Sequence, residues 1–178
     1  MSKESKTKNQ IREYLLDEGI LREKIKDPKI EFGFKFIFPP GPMNKIMFVI
    51  KPKNKNLIVI TIGTQISDPH INALNSFSEK NDNKKMQFFM DLRKSFLLKD
   101  VYFRINVENF RYEISDQIFL KEDGRLSKNS FFSSIRKVFN SDAYSNLILE
   151  EYCSGKIKPE DFVKQKEFTS GFDFSLYS

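Results

Sequence analysis

The chain has one cysteine, one histidine and no tryptophan. A single thiol excludes an internal disulfide framework and a cysteine cage for a metal, and a lone imidazole cannot build a histidine metal site. Glycine is sparse, and Gly41, Gly63 and Gly124 fall in separate turns, so no glycine-rich loop forms to cradle a phosphate. Long apolar runs are also missing: Ile46–Ile50 and Leu57–Ile62 stop well short of the roughly 18–20 residues that cross a bilayer. No apolar stretch ahead of a small-residue cleavage site marks a secretory leader. These absences point to a cytoplasmic chain with no membrane segment and no cofactor. No spacing of His, Cys, Asp, Glu or Ser assembles an active site either, so the expected activity is not enzymatic.

What is present is phenylalanine. Nineteen Phe concentrate apolar area into few large side chains, each burying roughly 150–250 Å², so a Phe-rich core is expected although hydrophobic residues make up only 39% of the chain. A length of 178 residues suits one domain. Thirty Lys and Arg against 24 Asp and Glu leave a net charge of +6. Much of the excess is spread over Lys3, Lys6 and Lys8 near the start and Lys51, Lys53 and Lys55 around a hairpin, where lysines commonly solvate loops and blunt sheet edges.

The apolar period changes along the chain: every second residue over 30–62, helical spacing over 84–98, every second residue again over 101–120. That switching predicts an α+β fold, one five-stranded antiparallel sheet packed with helices, in the order helix, three-strand meander, helix, β-hairpin, long helix. Residues 1–8 read as a disordered polar tail, 9–155 as a single α+β domain and 156–178 as a C-terminal extension. A first helix from Asn9 or Gln10 carries Ile11, Tyr14 and Leu15 on one face and stops at Gly19, with Ile20 folding back on Leu15. Phe32, Phe34, Phe36 and Phe38 share one face of the first strand. Pro39-Pro40-Gly41-Pro42 turns the chain into a strand over 45–51, and Pro52 to Asn56 turns it into another over 57–63.

Ser67 or Asp68 then caps a short helix over 71–77, with His70 in its exposed first turn. Met86, Phe89, Met90, Arg93, Phe96 and Leu97 trace the stripe of the next helix, read as core with methionine as filler. Residues 101–107 and 110–114 form a hairpin, and a bulge near Ser115–Gln117 restores Ile118 and Leu120 to the core. Ser127 caps a long helix whose face runs Phe131, Ile135, Val138, Phe139, Asp142 and Leu147, ending before Gly155. The last residues, 168–178, are aromatic without strong periodicity, which suits a frayed end or a docking tail.

One resemblance is carried by order and spacing. It runs from Ile11-Arg12-Glu13-Tyr14-Leu15-Leu16-Asp17-Glu18-Gly19-Ile20-Leu21 through the Phe-rich strand into Phe38-Pro39-Pro40. It continues with Lys51-Pro52-Lys53, Ile66-Ser67 before Pro69-His70, and Asp91-Leu92-Arg93. Over about residues 9–152 the chain resembles an uncharacterised, mainly archaeal family, domain of unknown function 2299. Its element order is similar to that of type III secretion chaperones, small α+β proteins that dimerise or hold partner polypeptides. The resemblance implies a chaperone-like protein-interaction module and brings no catalytic residue.

The strands over 45–51 and 57–63 are apolar on both faces, whereas a sheet with one wet face alternates apolar with polar. Met47, Val49, Leu57 and Val59 therefore form the candidate protein-interaction face, to be covered by helix 1, by a second copy in a homodimer, or by a bound polypeptide. The alternative is a weak, sequence-independent nucleic-acid binder that touches phosphates through Lys45, Lys51, Lys53 and Lys55. No small-molecule substrate is indicated. Asp68 and His70 near Asp91 have the composition of an acid–base pair, but helix capping explains Asp68 more simply. Cys153, beside Glu150 and Glu151, reads as a small filler. Glu108, Glu113 and Asp116 alternate with Arg104 and Arg111 as cross-strand ion pairs on a wet sheet face.

Overall fold

A computed structural model describes residues 3–75 and 84–154 of the chain. The elements are α1 (Lys3–Asp17), β1 (Leu21–Ile25), β2 (Ile30–Phe38), β3 (Lys45–Pro52), β4 (Leu57–Gln65), α2 (Asp68–Asn75), α3 (Lys84–Leu98), β5 (Tyr102–Asn106), β6 (Arg111–Phe119) and α4 (Lys128–Cys153). The strands form one sheet in the order β1-β2-β3-β4-β6-β5, and β1 through β4 pair as antiparallel neighbours. The fold is α+β, helices packed against an antiparallel sheet. Two compact units divide the described residues. One holds the chain up to Ile62 together with Ser115–Phe139; the other holds Gly63–Ile114 and α4 from Asn140 on.

In the first unit, α1 starts six residues before the expected Asn9. Propensity does not favour a helix in so polar a stretch, but Thr7 is buried and its hydroxyl donates to the Gly124 carbonyl at 2.7 Å, a tertiary anchor that no local pattern announces. The helix ends as expected. Gly19 takes φ 66°, its N–H donates to Leu16 O at 2.9 Å, and Ile20 N–H reaches back to Leu15 O at 3.0 Å, with Leu15 and Ile20 both fully buried.

The sheet has six strands rather than five, because Leu21–Ile25 forms β1 against β2. Its centre, Arg22-Glu23-Lys24, is exposed and lacks alternation, which is why the strand is silent in the pattern. Charge along an edge strand is one way a sheet avoids pairing with another chain.

Register decides the two faces. Phe34 pairs with Val49 and Phe36 with Met47, while Gly33 pairs with Ile50 and Lys35 with Phe48. On the other side of β3, Val49 pairs with Ile60 and Ile50 with Val59. Antiparallel partners project to the same side. Phe32, Phe34, Phe36, Met47, Val49 and Ile60 thus share one face and are all buried. Helices lie on this face: the Phe38 ring meets Phe139 of α4 at 5.4 Å, and Tyr14 of α1 sits 6.0 Å from Phe131 of α4. Between Ile30 and Phe32 the register shifts, so Ile30 crosses to the opposite face and joins Ile25, Ile50, Leu57 and Val59 in a small cluster made entirely by the sheet.

In the second unit, α3 buries Phe88, Phe89, Leu92, Ser95 and Phe96. Phe96 packs at 5.4 Å from Phe103 of β5 and 5.8 Å from Tyr112 of β6. The expected stripe is rotated: Met86, Met90 and Leu97 are 43%, 44% and 69% exposed. Two apolar stripes compete on this helix, and the aromatic one fills the core because ring area outweighs thioether area. α2 begins at Asp68, three residues earlier than expected, and the rest of the expected 71–77 helix lies outside the described residues.

β6 is continuous from Arg111 to Phe119. The expected bulge is replaced by a polar residue kept in phase, since Asp116 stays on the side of Tyr112 and Ile114. There α4 supplies partners: Ser134 Oγ donates to Asp116 at 2.7 Å and Lys137 Nζ at 3.2 Å. Ser127 caps α4 as expected, its Oγ accepting from Ser130 N–H at 3.4 Å. Leu147 is exposed, contrary to its place on the expected face.

Candidate interaction face

The four residues singled out as an interaction face do not share one. Met47 and Val49 lie with the phenylalanines on the helix-covered side, fully buried, whereas Leu57 and Val59 lie on the opposite side with Ile50. The correction follows from register: Val49 stands opposite Ile60, so matching it with Leu57 or Val59 assigns one strand to the wrong side. Helix 1 packs beside β1 and β2, with its Tyr14 ring 6.0 Å from Phe131 of α4.

Within each unit, the helix contacts described fall on one side of the sheet. In the first unit, Ser134, Lys137 and Phe139 of α4 meet the phenylalanine face. In the second, Thr64 of β4 donates to Asp142 of α4 at 2.6 Å and Tyr112 of β6 lies 2.6 Å from Ser145 of α4, both from even-numbered positions. The odd-numbered residues of β4 and β6 point away. Within the first unit the opposite face therefore presents Lys35 and Ile37 on β2, Ile46, Phe48 and Ile50 on β3, Leu57, Val59 and Thr61 on β4, and Phe119 on β6. The Ile25–Ile30–Ile50–Leu57–Val59 cluster fills one end. Ile37, Ile46 and Phe48 remain half-buried at the other, and Phe119 is 74% exposed. With strands about 4.8 Å apart and same-side residues about 6.7 Å apart, three positions on three strands span about 300 Å². Phe48 and Phe119 were legible as apolar; which face they occupy was not.

The four lysines do not form one patch either. Lys45 stands at one end of β3 and Lys51 near the other. At the second end Lys51 is buried and committed: its Nζ pairs with the Glu31 carboxylate and donates to Lys55 O at 3.1 Å. Lys53 and Lys55 are exposed on the hairpin. A cavity of about 510 Å³ opens beside them, lined in part by Thr7, Glu31, Lys51, Asn54 and Leu120. The carboxylate within this wall offsets the lysines, so the hairpin is a mixed surface.

The remaining candidates resolve into structural contacts. His70 is buried rather than exposed, with its Nδ1 2.5 Å from Ser67 Oγ and its carbonyl oxygen 3.9 Å from Cys153 Sγ. The histidine thus ties the start of α2 to the end of α4 through its own backbone. Asp91 accepts from Tyr152 OH at 2.6 Å, Lys94 at 3.2 Å and Gln87 at 3.3 Å. These bonds, Tyr152 first and then Lys94, hold its carboxyl below the usual range, while burial and then the Asp91 bond push the Tyr152 phenol up to about 12. Tyr112 is pushed up by burial and by the Asp142 charge. Asp116 bonds into α4 instead of pairing on a wet sheet face. Among the described residues no group of three or more His, Cys, Asp or Glu is placed to hold a metal ion, and no helix is long and apolar enough to cross a membrane.

The chain belongs to the family of uncharacterised conserved proteins DUF2299, whose model matches residues 7–149. Its fold is similar to that of an uncharacterised protein from Methanothermobacter thermautotrophicus, at 24% identity and a TM-score of 0.72, over 83% of this chain and 99% of that one. It is also similar to a chain of the ExsC–ExsE complex, at 11% identity and a TM-score of 0.53, over 83% of this chain and 97% of the other. The fold thus resembles that of type III secretion chaperones. No curated protein matches the chain.

Proposed function

We propose that this DUF2299 protein is a non-catalytic, chaperone-like interaction module that holds a short extended polypeptide against the Phe48 face of its sheet. The observation that carries the reading is the half-buried row Ile37, Ile46 and Phe48 on the side of the sheet opposite the contacts with α4. Apolar strand residues on both sides of a sheet imply a cover on both sides. An extended segment suits the surface because its alternate side chains repeat at the spacing of same-side sheet residues. The similarity to a chain solved as the ExsC–ExsE complex is in keeping with a protein partner. The nucleic-acid alternative loses support from the separation of Lys45 from Lys53 and Lys55 and from the engagement of Lys51 by Glu31.

Binding of a short labelled peptide, Phe or Leu alternating with Ser, tests the proposal by fluorescence anisotropy. Saturable binding is expected, abolished by Phe48→Lys and retained when Lys53 and Lys55 are changed to Glu. No binding, or binding that the lysine changes remove and Phe48→Lys leaves intact, overturns it.

A further inference from the structure

We infer that the cavity between α1 and β1 is a binding site for a small ligand that carries two phosphate groups. It is separate from the Phe48 face: Lys24 stands opposite Phe34 and Leu21 opposite Phe36, so both project to the phenylalanine side of the sheet.

The cavity measures about 360 Å³, in the size range of small-molecule sites. Lys8 and Arg12 of α1 line one wall, Leu21, Arg22 and Lys24 of β1 line the other, and buried Phe34 lies beneath. Lys8 and Arg12 are one helical turn apart, a spacing at which like charges repel and destabilise a helix. The protein supplies no carboxylate to relieve them. The positions three and four residues from Arg12 hold Lys8, Asn9, Leu15 and Leu16. Among the described residues no ion pair engages Lys8, Arg12, Arg22 or Lys24. Arg22 donates to the Gly19 and Leu21 carbonyls, at 3.3 and 3.0 Å, which leaves its charge uncompensated. The one acid of the lining, Glu23, stands opposite Lys35 and so projects to the other side of the sheet.

Four cations above an apolar floor concentrate positive potential, because a low-dielectric wall focuses the field. Arg12 adds a planar fork that matches the oxygens of a phosphate, and Asn9 on the same wall adds an amide donor. A phosphate group carries a charge of about −1.5 to −2 near neutral pH, so two of them balance the four cations. A single carboxylate leaves most of that charge unmatched. Phe34 is buried and no other aromatic side chain lines the cavity, so nothing there stacks on a nucleic-acid base.

Titration of the full chain with inorganic pyrophosphate, at low salt and without divalent cations, tests the inference by isothermal titration calorimetry. One-to-one binding with a dissociation constant below about 1 mM, tighter than for orthophosphate or citrate, is the expected result. An exposed ion pair contributes up to about fivefold, so Lys8→Gln combined with Arg12→Gln should weaken binding about tenfold. Lys53→Gln combined with Lys55→Gln, on the hairpin between β3 and β4, should leave it within about twofold. An equal loss from the hairpin pair, or citrate binding as tightly as pyrophosphate, overturns the site as diffuse attraction of anions. Amide chemical shifts of the native chain give a readout that needs no variant. Changes centred on Lys8–Arg12 and Leu21–Lys24 support the inference; changes centred elsewhere, or no saturable binding, overturn it. A random DNA duplex that displaces pyrophosphate from these residues and binds them more tightly overturns it in favour of a nucleic-acid backbone.

Discussion

Val49 and Phe48 are neighbours on β3 that face opposite sides of the sheet, and an aspartate at each should have opposite consequences. Val49 lies between Phe34 and Ile60 and is fully buried. Removing its side chain forfeits about 1.5–3 kcal/mol of burial. The new carboxyl also has to stay neutral at pH 7, and raising its pKa by about three units costs about 4 kcal/mol at roughly 1.4 kcal/mol per unit. The total, about 5–7 kcal/mol, rivals the 5–15 kcal/mol that typically holds a domain together. Val49→Asp should therefore lose cooperative unfolding. Phe48→Asp sits where its side chain is only half-buried and its carboxylate can reach water, so about 1–2 kcal/mol is expected and the fold survives. Urea unfolding followed by circular dichroism reads both variants, with an unchanged m-value as the sign that only stability has moved. A Val49→Asp protein within about 1 kcal/mol of wild type, or a Phe48→Asp protein that is the less stable of the two, would refute the assignment of faces.

Gly33 gives a second check on the Phe48 side. A Cβ there would lie 2.9 Å from Ile30 Cδ1 and 3.1 Å from Ile25 Cδ1 and Ile50 Cγ2. Gly33→Ala should cost about 1 kcal/mol, and Ile30→Val, which removes the nearest methyl, should recover part of it in a double-mutant cycle read by thermal melting. The Tyr152–Asp91 pair predicts two pH effects. With its phenol raised to about 12, Tyr152 contributes stability that is complete below pH 10 and is lost between there and pH 12. Asp91, held below its ordinary 3.8, contributes stability that is present above that value and is lost as the pH falls through the lowered one. Tyr152→Phe should flatten the alkaline limb of a melting-temperature profile and shrink the acid one, and unchanged limbs would refute the pairing.

How much of this was legible in the sequence depends on what set each feature. Elements whose apolar period follows a single rule were readable, as with Phe32–Phe38, the αL stop at Gly19 and the Ser127 cap. β1 was not, because Arg22-Glu23-Lys24 at a sheet edge carries no alternation to detect. α3 was misread by rotation, since Met86, Met90 and Leu97 form as regular a stripe as Phe88, Phe89, Leu92 and Phe96, and only packing chooses between them. The interaction face failed for a related reason. Period two says which residues of one strand share a side but not which side of the next strand they join; the Val49–Ile60 register supplies that. Likewise Asp116 looked like a surface charge because its partners, Ser134 and Lys137, lie far away in sequence.

Methyl NMR of the full chain, labelled at Ile, Leu and Val and titrated to saturation with the alternating peptide, tests the central claim most directly. The account predicts shifts concentrated at Ile37, Ile46, Ile50, Leu57 and Val59, with Val49 and Ile60 on the opposite side of the same strands nearly still. Shifts centred on Val49 and Ile60, or no shifts at saturating peptide, would contradict it.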